Sequence, residues 1–563
     1  MKSLKTVTSV ILLIFFINNH SLLALEQGGT NPIVTGSKGE ALNTFFTKLD
    51  FFGFGGQLLI KNEGEIILQK AYGYADRSEG TRADLATVYS IASLGKQFTA
   101  TAILRLEQDG KLSTDDTIDK YFDNLAEDKK TITILNLLTH SSGLPYHVDS
   151  NFTEEGITRE ELERRIVNLS LLFEPGTSSS YSNPGYNLLG LIVEKQSGKS
   201  FQEYLIEQLF KPAGMENTYF SSTSLNVKGA HSYSDNIDHG DVSKQPFFLK
   251  SLGAGGQLST VEDLNKWEKA LSENLILNED QSRKLITPHL RNEALGWRVF
   301  ETGRGTKVVL HPGDFQGFNV EFRRYVDESR TIILLSNTRE NANGYRRVLM
   351  NLIGQYLEGE IELPEIPDLY QAKDLNINIE DYQIHSSDYK IIQEKDALFL
   401  TSETQKGLAV LSSIQDEERL NLLNEQANEF LKLLEVEKFS ETSKYLNRNL
   451  TVPAVENTWR TSLNLFEEEF GRKRNQRLIG TYISDEMMSF SYFKLEFEND
   501  SKTGTLVWFR DKLIAYHFGI EYPLYKKLGF DRFGNLFNYS VFNNDLIKID
   551  IEGDIQEITV SKR

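Results

Sequence analysis

Residues 93–109 read as one helix that is apolar almost all round, with Phe98, Ala100, Ala102, Ile103, Leu104 and Leu106 spread over its faces. A surface helix keeps a polar side, so this one belongs at the centre of a domain, walled in by other elements. Gly110 stops it. The chain around it must supply those walls.

The flanking segments show how. Residues 56–60 and 65–69 are strand-like and enclose Asn62-Glu-Gly64, a hairpin turn. Helices are expected near 132–138, 160–169, 185–196, 201–209 and 261–271, then strands at 318–325 and 330–336 and a helix at 345–357. Strands at both ends with helices between imply an α/β (α+β) domain whose antiparallel sheet joins distant segments. Pro364 and Pro367, in the acidic stretch 358–368, mark the boundary. Beyond it, amphipathic helices at 422–434 and 459–470 precede short alternating segments at 493–497, 504–508 and 546–550, an α+β accessory region over 361–563.

Lys2 and Lys5 precede an apolar run at 10–17 that suits an export signal and is too short to span a bilayer. Residues 1–24 are expected to be a signal peptide cleaved after Ala24, and the protein to be periplasmic or secreted. No later segment has the length or hydropathy of a transmembrane span. The net charge of -19 argues against nucleic acid, which needs a basic face. With no cysteine in the chain, disulfides, thiolate metal sites and a cysteine nucleophile are ruled out.

Three short motifs carry chemistry. Ser93-Leu-Gly-Lys96 opens the central helix. Residues three apart share a helix face, so Lys96 reaches Ser93, a poor nucleophile until a neighbour takes its proton. Tyr181-Ser-Asn183 precedes a helix; its phenol exchanges protons and its amide offers a donor and an acceptor. His311-Pro-Gly313, followed by Asp314, places a glycine and a proline on a strand. The glycine lets another backbone approach, and the proline suggests an edge strand lining a cleft. Each pattern recurs by chance in Tyr445-Leu-Asn447, Ser491-Tyr-Phe-Lys494 and His517-Phe-Gly519, but there in the wrong order, and the serine copy lies on a strand where its lysine faces away.

The order SxxK, YxN, HxG resembles the serine β-lactamase and penicillin-binding-protein hydrolases, in their class C-like form. Leu137-Leu-Thr-His-Ser-Ser-Gly-Leu-Pro145 and Gly253-Ala-Gly-Gly-Gln-Leu-Ser-Thr260 add to the resemblance, which covers residues 40 to 358. It implies a β-lactamase/transpeptidase-like fold with a helical subdomain, spanning 25–360. It also implies an acyl-enzyme mechanism with Ser93 as nucleophile and Lys96 and Tyr181 sharing the proton work. Asn183, His311, Gly313 and Asp314 would bind substrate, the oxyanion hole using the backbone N–H groups of Ser93 and Asp314. The resemblance implies no metal or organic cofactor. The partner would be a small-molecule or peptide substrate; the residues name no protein partner for the accessory region.

Free lysine and tyrosine titrate at about 10.4 and 10, so something must make one of them a base. Relatives with lysine in the third motif have a fixed cation there. His311, with an ordinary pKa of about 6.5, is neutral above that pH. This favours ester, amide or D-amino-acid peptide substrates over the carboxylate-bearing substrates of a β-lactamase or DD-carboxypeptidase. Competing readings are an inactive hydrolase fold that binds peptidoglycan-like ligands, and a structural scaffold. His140 reads as a structural hydrogen-bonding residue, and His231, His239 and His289 show no metal-ligand spacing.

Overall fold

A computed structural model describes residues 31–51, 53–149, 155–222, 225–234, 237–339, 346–364, 390–394, 397–401, 404, 417–446, 450–483, 488–509, 511–520, 526–530, 536–540 and 545–549. The signal-peptide reading of residues 1–24 and part of the 358–368 boundary lie outside them.

The backbone turns at Glu63 and Gly64, both at positive φ (53° and 86°), the geometry that matches strand twist in a tight hairpin. This joins β2 (Gly56–Asn62) to β3 (Glu65–Tyr72). With β1 (Ile33–Val34), β4 (Arg298–Glu301), β5 (Lys307–Phe315), β6 (Phe318–Tyr325) and β7 (Arg330–Ser336) they form an antiparallel sheet ordered β1-β3-β2-β7-β6-β5-β4. The N-terminal hairpin thus pairs with the last strand of the domain, as Leu58 opposite Leu334 shows.

Alternation along the strands sorts the core into two layers. Leu58, Ile60, Ile332 and Leu334 face α1 (Gly36–Phe51) and α5 (Arg346–Glu358). Leu59, Ile333 and Leu335 face the opposite layer, which holds α2 (Gly95–Gln108), α3 (Asn183–Ser197) and α4 (Val261–Ser272). In α2 every residue from Gly95 to Leu104 is buried, as its all-round apolarity requires. The helices expected near 132 and 160 appear as Ile134–Leu138 and Arg159–Val167, and the one at 201 as Phe201–Leu205 followed by a wider turn.

In the accessory region, Lys473–Ile483, Met488–Phe497, Ser501–Phe509 and Lys512–Ile520 form a four-stranded antiparallel sheet in that order. Helices Glu417–Glu435 and Val452–Phe470 accompany it, and Phe430, Trp459, Phe493 and Trp508 share one apolar cluster. Ser491 is part of this packing: it is fully buried, and its hydroxyl accepts the Trp508 indole N–H at 2.8 Å. Among the described residues, no helix is long and apolar enough to cross a membrane.

Candidate active site

Ser93 sits in a tight turn, Ala92–Leu94, that feeds directly into α2. Sequence periodicity starts the helix at Ser93; the regular helix begins two residues later because Ala92 holds a left-handed φ of 46°. A non-glycine residue there costs about 1–3 kcal/mol and marks a turn imposed by its surroundings. Those surroundings are glycines. A Cβ on Gly313 of β5 would lie 2.7 Å from the Ile91 carbonyl, and one on Gly95 would strike Gln257. Glycine in the third motif therefore lets β5 press against the Ser93 turn, as close approach demands.

One expectation about this strand needs correction. β5 is not an edge strand, because β4 pairs with it from Lys307 to Leu310. β4 is short, however, and His311 to Phe315 extend past its end, pairing only with β6. Local edge character is what Pro312 needs, since it has no N–H to donate.

Lys96 is fully buried one turn into the helix. Its Nζ lies 3.1 Å from Ser93 Oγ, 2.8 Å from Asn183 Oδ1 and 2.8 Å from the Ala254 carbonyl. The last two partners only accept, so two of its protons are committed to them. The third position faces Ser93. Burial drives the Lys96 pKa well below the ordinary lysine value. The shift favours the neutral amine, a form that can keep both donated bonds and offer its lone pair to the serine hydroxyl. The Ala254 carbonyl was not singled out in the sequence; the Gly253-Ala-Gly-Gly run that carries it was the available signal. That run packs tightly, Gly253 against the Tyr186 carbonyl of α3 and Gly255 against Ala92.

Asn183 is the first residue of α3, but Ser182 is the cap, its side chain accepting from Gly185 N–H at 3.1 Å. Tyr181 is thereby fixed just outside the helix, with Lys96 Nζ 4.8 Å from its ring centre. Burial raises the Tyr181 pKa far above the usual phenol range, with the Tyr146 ring adding to the rise and a side-chain hydrogen bond to Ser93 opposing it. The phenol thus holds its proton. The structure brings Ser93, Lys96, Tyr181 and Asn183 together, with His311 6.1 Å from Tyr181, ring centre to ring centre.

His311 is buried and neutral. Burial, then Lys96 and Arg298, hold its pKa well down, against a bond to the Pro312 carbonyl. That bond, 2.6 Å from Nδ1, fixes the proton on Nδ1 and leaves Nε2 as an acceptor. The Asp314 carboxylate is turned aside, 2.7 Å from Arg346 at the start of α5 and also bonded to Asn319. Only its backbone stays available for the role expected of it.

Arg298 escaped the sequence reading. It lies on β4 opposite Leu310, next to His311, with its guanidinium 5.9 Å from the Tyr181 ring centre. Its Nε bonds Glu293 at 3.0 Å. The fixed cation that His311 cannot supply is therefore present on the neighbouring strand. His231 stands between Asp238 (3.1 Å) and Asp76 (3.5 Å), a grouping that sequence spacing had not revealed.

The β-lactamase family model matches residues 53–355, more than half of the chain. The chain belongs to the β-lactamase family. It is a serine hydrolase of that family, and its sheet-and-helix architecture is the β-lactamase/transpeptidase fold. Penicillin-binding protein 4* of Bacillus subtilis (strain 168) is 27% identical over 430 residues, covering 71% of this chain and 93% of that protein. Protein flp of Staphylococcus aureus (strain MW2) is 30% identical over 301 residues, covering 50% of this chain and 59% of its own length. The crystal structure of D-amino acid amidase from Ochrobactrum anthropi SV3 complexed with L-phenylalanine amide matches 58% of this chain and 98% of that one, at 23% identity and a TM-score of 0.50. At that identity the structural match speaks for the shared fold alone.

Proposed function

We propose that this β-lactamase-family hydrolase cleaves an amide, ester or D-amino-acid peptide bond through an acyl-enzyme on Ser93. The carrying observation is the three-fold environment of Lys96: two carbonyl acceptors and one serine hydroxyl around a buried amine. In the first step the Ser93 oxygen bonds to the substrate carbonyl carbon and its proton passes to Lys96. The carbonyl oxygen becomes an oxyanion received by the backbone N–H groups of Ser93 and Asp314, donors that act at the point where charge develops. The intermediate then collapses. The bond to the leaving amine or alkoxide breaks, Tyr181 gives that atom its proton, and Lys96 restores the phenol. Water then attacks the acyl carbon, its proton passing through Tyr181 to Lys96; the bond from that carbon to the Ser93 oxygen breaks, and Lys96 returns the proton to the serine. The Asn183 carbonyl is held by Lys96, so its amide NH₂ is the group that faces a substrate amide.

A second reading, a carboxylate-bearing substrate such as a β-lactam or a D-alanyl-D-alanine peptide, is favoured by the guanidinium of Arg298, a planar fork of donors that matches carboxylate geometry. The name of the Bacillus relative, a penicillin-binding protein, points the same way. Hydrolysis of D-aminoacyl amides, short-chain esters and nitrocefin by wild type and Ser93→Ala tests both readings. Activity on at least one, lost by about a thousandfold or more in the variant, is expected; equal rates from the two proteins would refute the proposal. Arg298→Gln is expected to weaken nitrocefin turnover by about tenfold while sparing neutral esters, the scale of one charged hydrogen bond.

A further inference from the structure

His140 lies 41 residues before Tyr181 in the chain, yet three of its contacts bracket that residue. Its backbone carbonyl accepts the N–H of Ser180 at 2.9 Å. Its ring Nδ1 accepts the N–H of Ser182 at 3.1 Å. The ring itself lies on Tyr181, centre to centre 4.3 Å and tilted by 33°. The residue before, the residue itself and the residue after are each held by one histidine.

We propose that His140 is a positioning residue for Tyr181, its imidazole lone pair fixing the backbone so that the phenol stays turned to Ser93. The inference rests on the reading of Tyr181 as the proton donor. Backbone and ring chemistry agree with it. His140 has a left-handed φ of 56°, a conformation in which His, Asn and Asp are the enriched side chains. Nδ1 can accept only from an unprotonated ring, which places the proton on Nε2. Burial, the largest influence on the ring, keeps it in that state. Its other face is closed by Tyr186, 5.0 Å away, whose hydroxyl donates to the Leu138 carbonyl at 2.7 Å. A purely structural histidine would affect how much protein folds, and would leave the chemistry of each folded molecule unchanged.

Labelling of the full chain by a fluorophosphonate separates these. There Ser93 oxygen attacks phosphorus, its proton goes to Lys96, and fluoride leaves as the P–F bond breaks, with Tyr181 hydrogen-bonding the departing ion. The maximal rate and the half-saturating concentration are measured apart. His140→Gly tolerates the backbone but removes acceptor and ring; His140→Asn tolerates it and keeps an acceptor close to the place of Nδ1. The glycine variant is expected to fold and to lose about a hundredfold in maximal rate, the scale of a misplaced catalytic group, with its half-saturation unchanged. The asparagine variant is expected to regain most of that loss. A folded glycine variant at the wild-type rate, a change in half-saturation alone, or an asparagine variant no faster than glycine would each overturn the proposal. If the glycine variant does not fold, His140→Ala takes its place with the same outcomes. Tyr181→Phe serves as the reference: expected to be slow, it would, at the wild-type rate, refute the role of Tyr181 itself.

Discussion

Lys96 concentrates the electrostatics of the site into one side chain. Placing a lysine where no water reaches favours the neutral amine, and the two carbonyls at 2.8 Å leave that amine a single free direction, toward Ser93. Lys96→Met is therefore expected to lower kcat/KM by about 10² to 10⁴, the usual contribution of a positioned base. The same burial has a sign in stability. The unfolded lysine binds a proton up to about pH 10.4, whereas the folded one releases it well below that. Wild type should thus gain stability as pH rises between the folded and unfolded values, and Lys96→Met should lack that component in denaturant melts. His140 and His311 are also buried with lowered pKa. Their unfolded value is about 6.5, so stability should fall as pH drops below it, and His140→Asn should flatten the fall. The motif residues were legible because their spacing matches helix geometry. Arg298 was not: a lone arginine on a four-residue strand has no pattern, and only the strand pairing puts it beside His311.

Among elements, β5 does the most to shape the cleft. Its Gly313 lies where a side chain would meet the Ile91 carbonyl at 2.7 Å and Val320 at 2.8 Å. Gly313→Ala is expected to cost about 1–3 kcal/mol, as overpacking does, and to impair Ser93 labelling, because the strand must back away from the turn. Gly303→Ala, at an exposed glycine with open space around it, should leave both melting temperature and labelling unchanged. The sheet strands at 318–325 and 330–336 were readable to the residue, since apolar and polar residues alternate at the start of the first, Phe318-Asn-Val-Glu-Phe322, and the second holds the short apolar run Ile332-Ile-Leu-Leu335. The start of α2 was not. The left-handed Ala92 is set by glycines from residue 255 and residue 313, which local periodicity does not register.

At the scale of the whole molecule, the apolar clusters of the described residues divide by chain position. The two clusters that flank the main sheet draw on residues up to 363, and the cluster of the accessory region begins at Leu423. We propose that residues 31–364 are a self-sufficient unit. Expressed alone, they should unfold cooperatively and still label at Ser93; an aggregated product would contradict this. The match to the Bacillus protein spans more of the chain than residues 1–364 could supply, so it extends into the accessory region. Its α+β character was legible from alternation, while its role was not.

The central claim is that Ser93 is a nucleophile activated by Lys96. The direct measurement is peptide mapping by mass spectrometry after the full chain reacts with a fluorophosphonate. The account predicts one adduct, on Ser93, absent from Ser93→Ala and formed far more slowly in Lys96→Met. An adduct on a different serine, or a wild-type protein that stays unmodified, would contradict it.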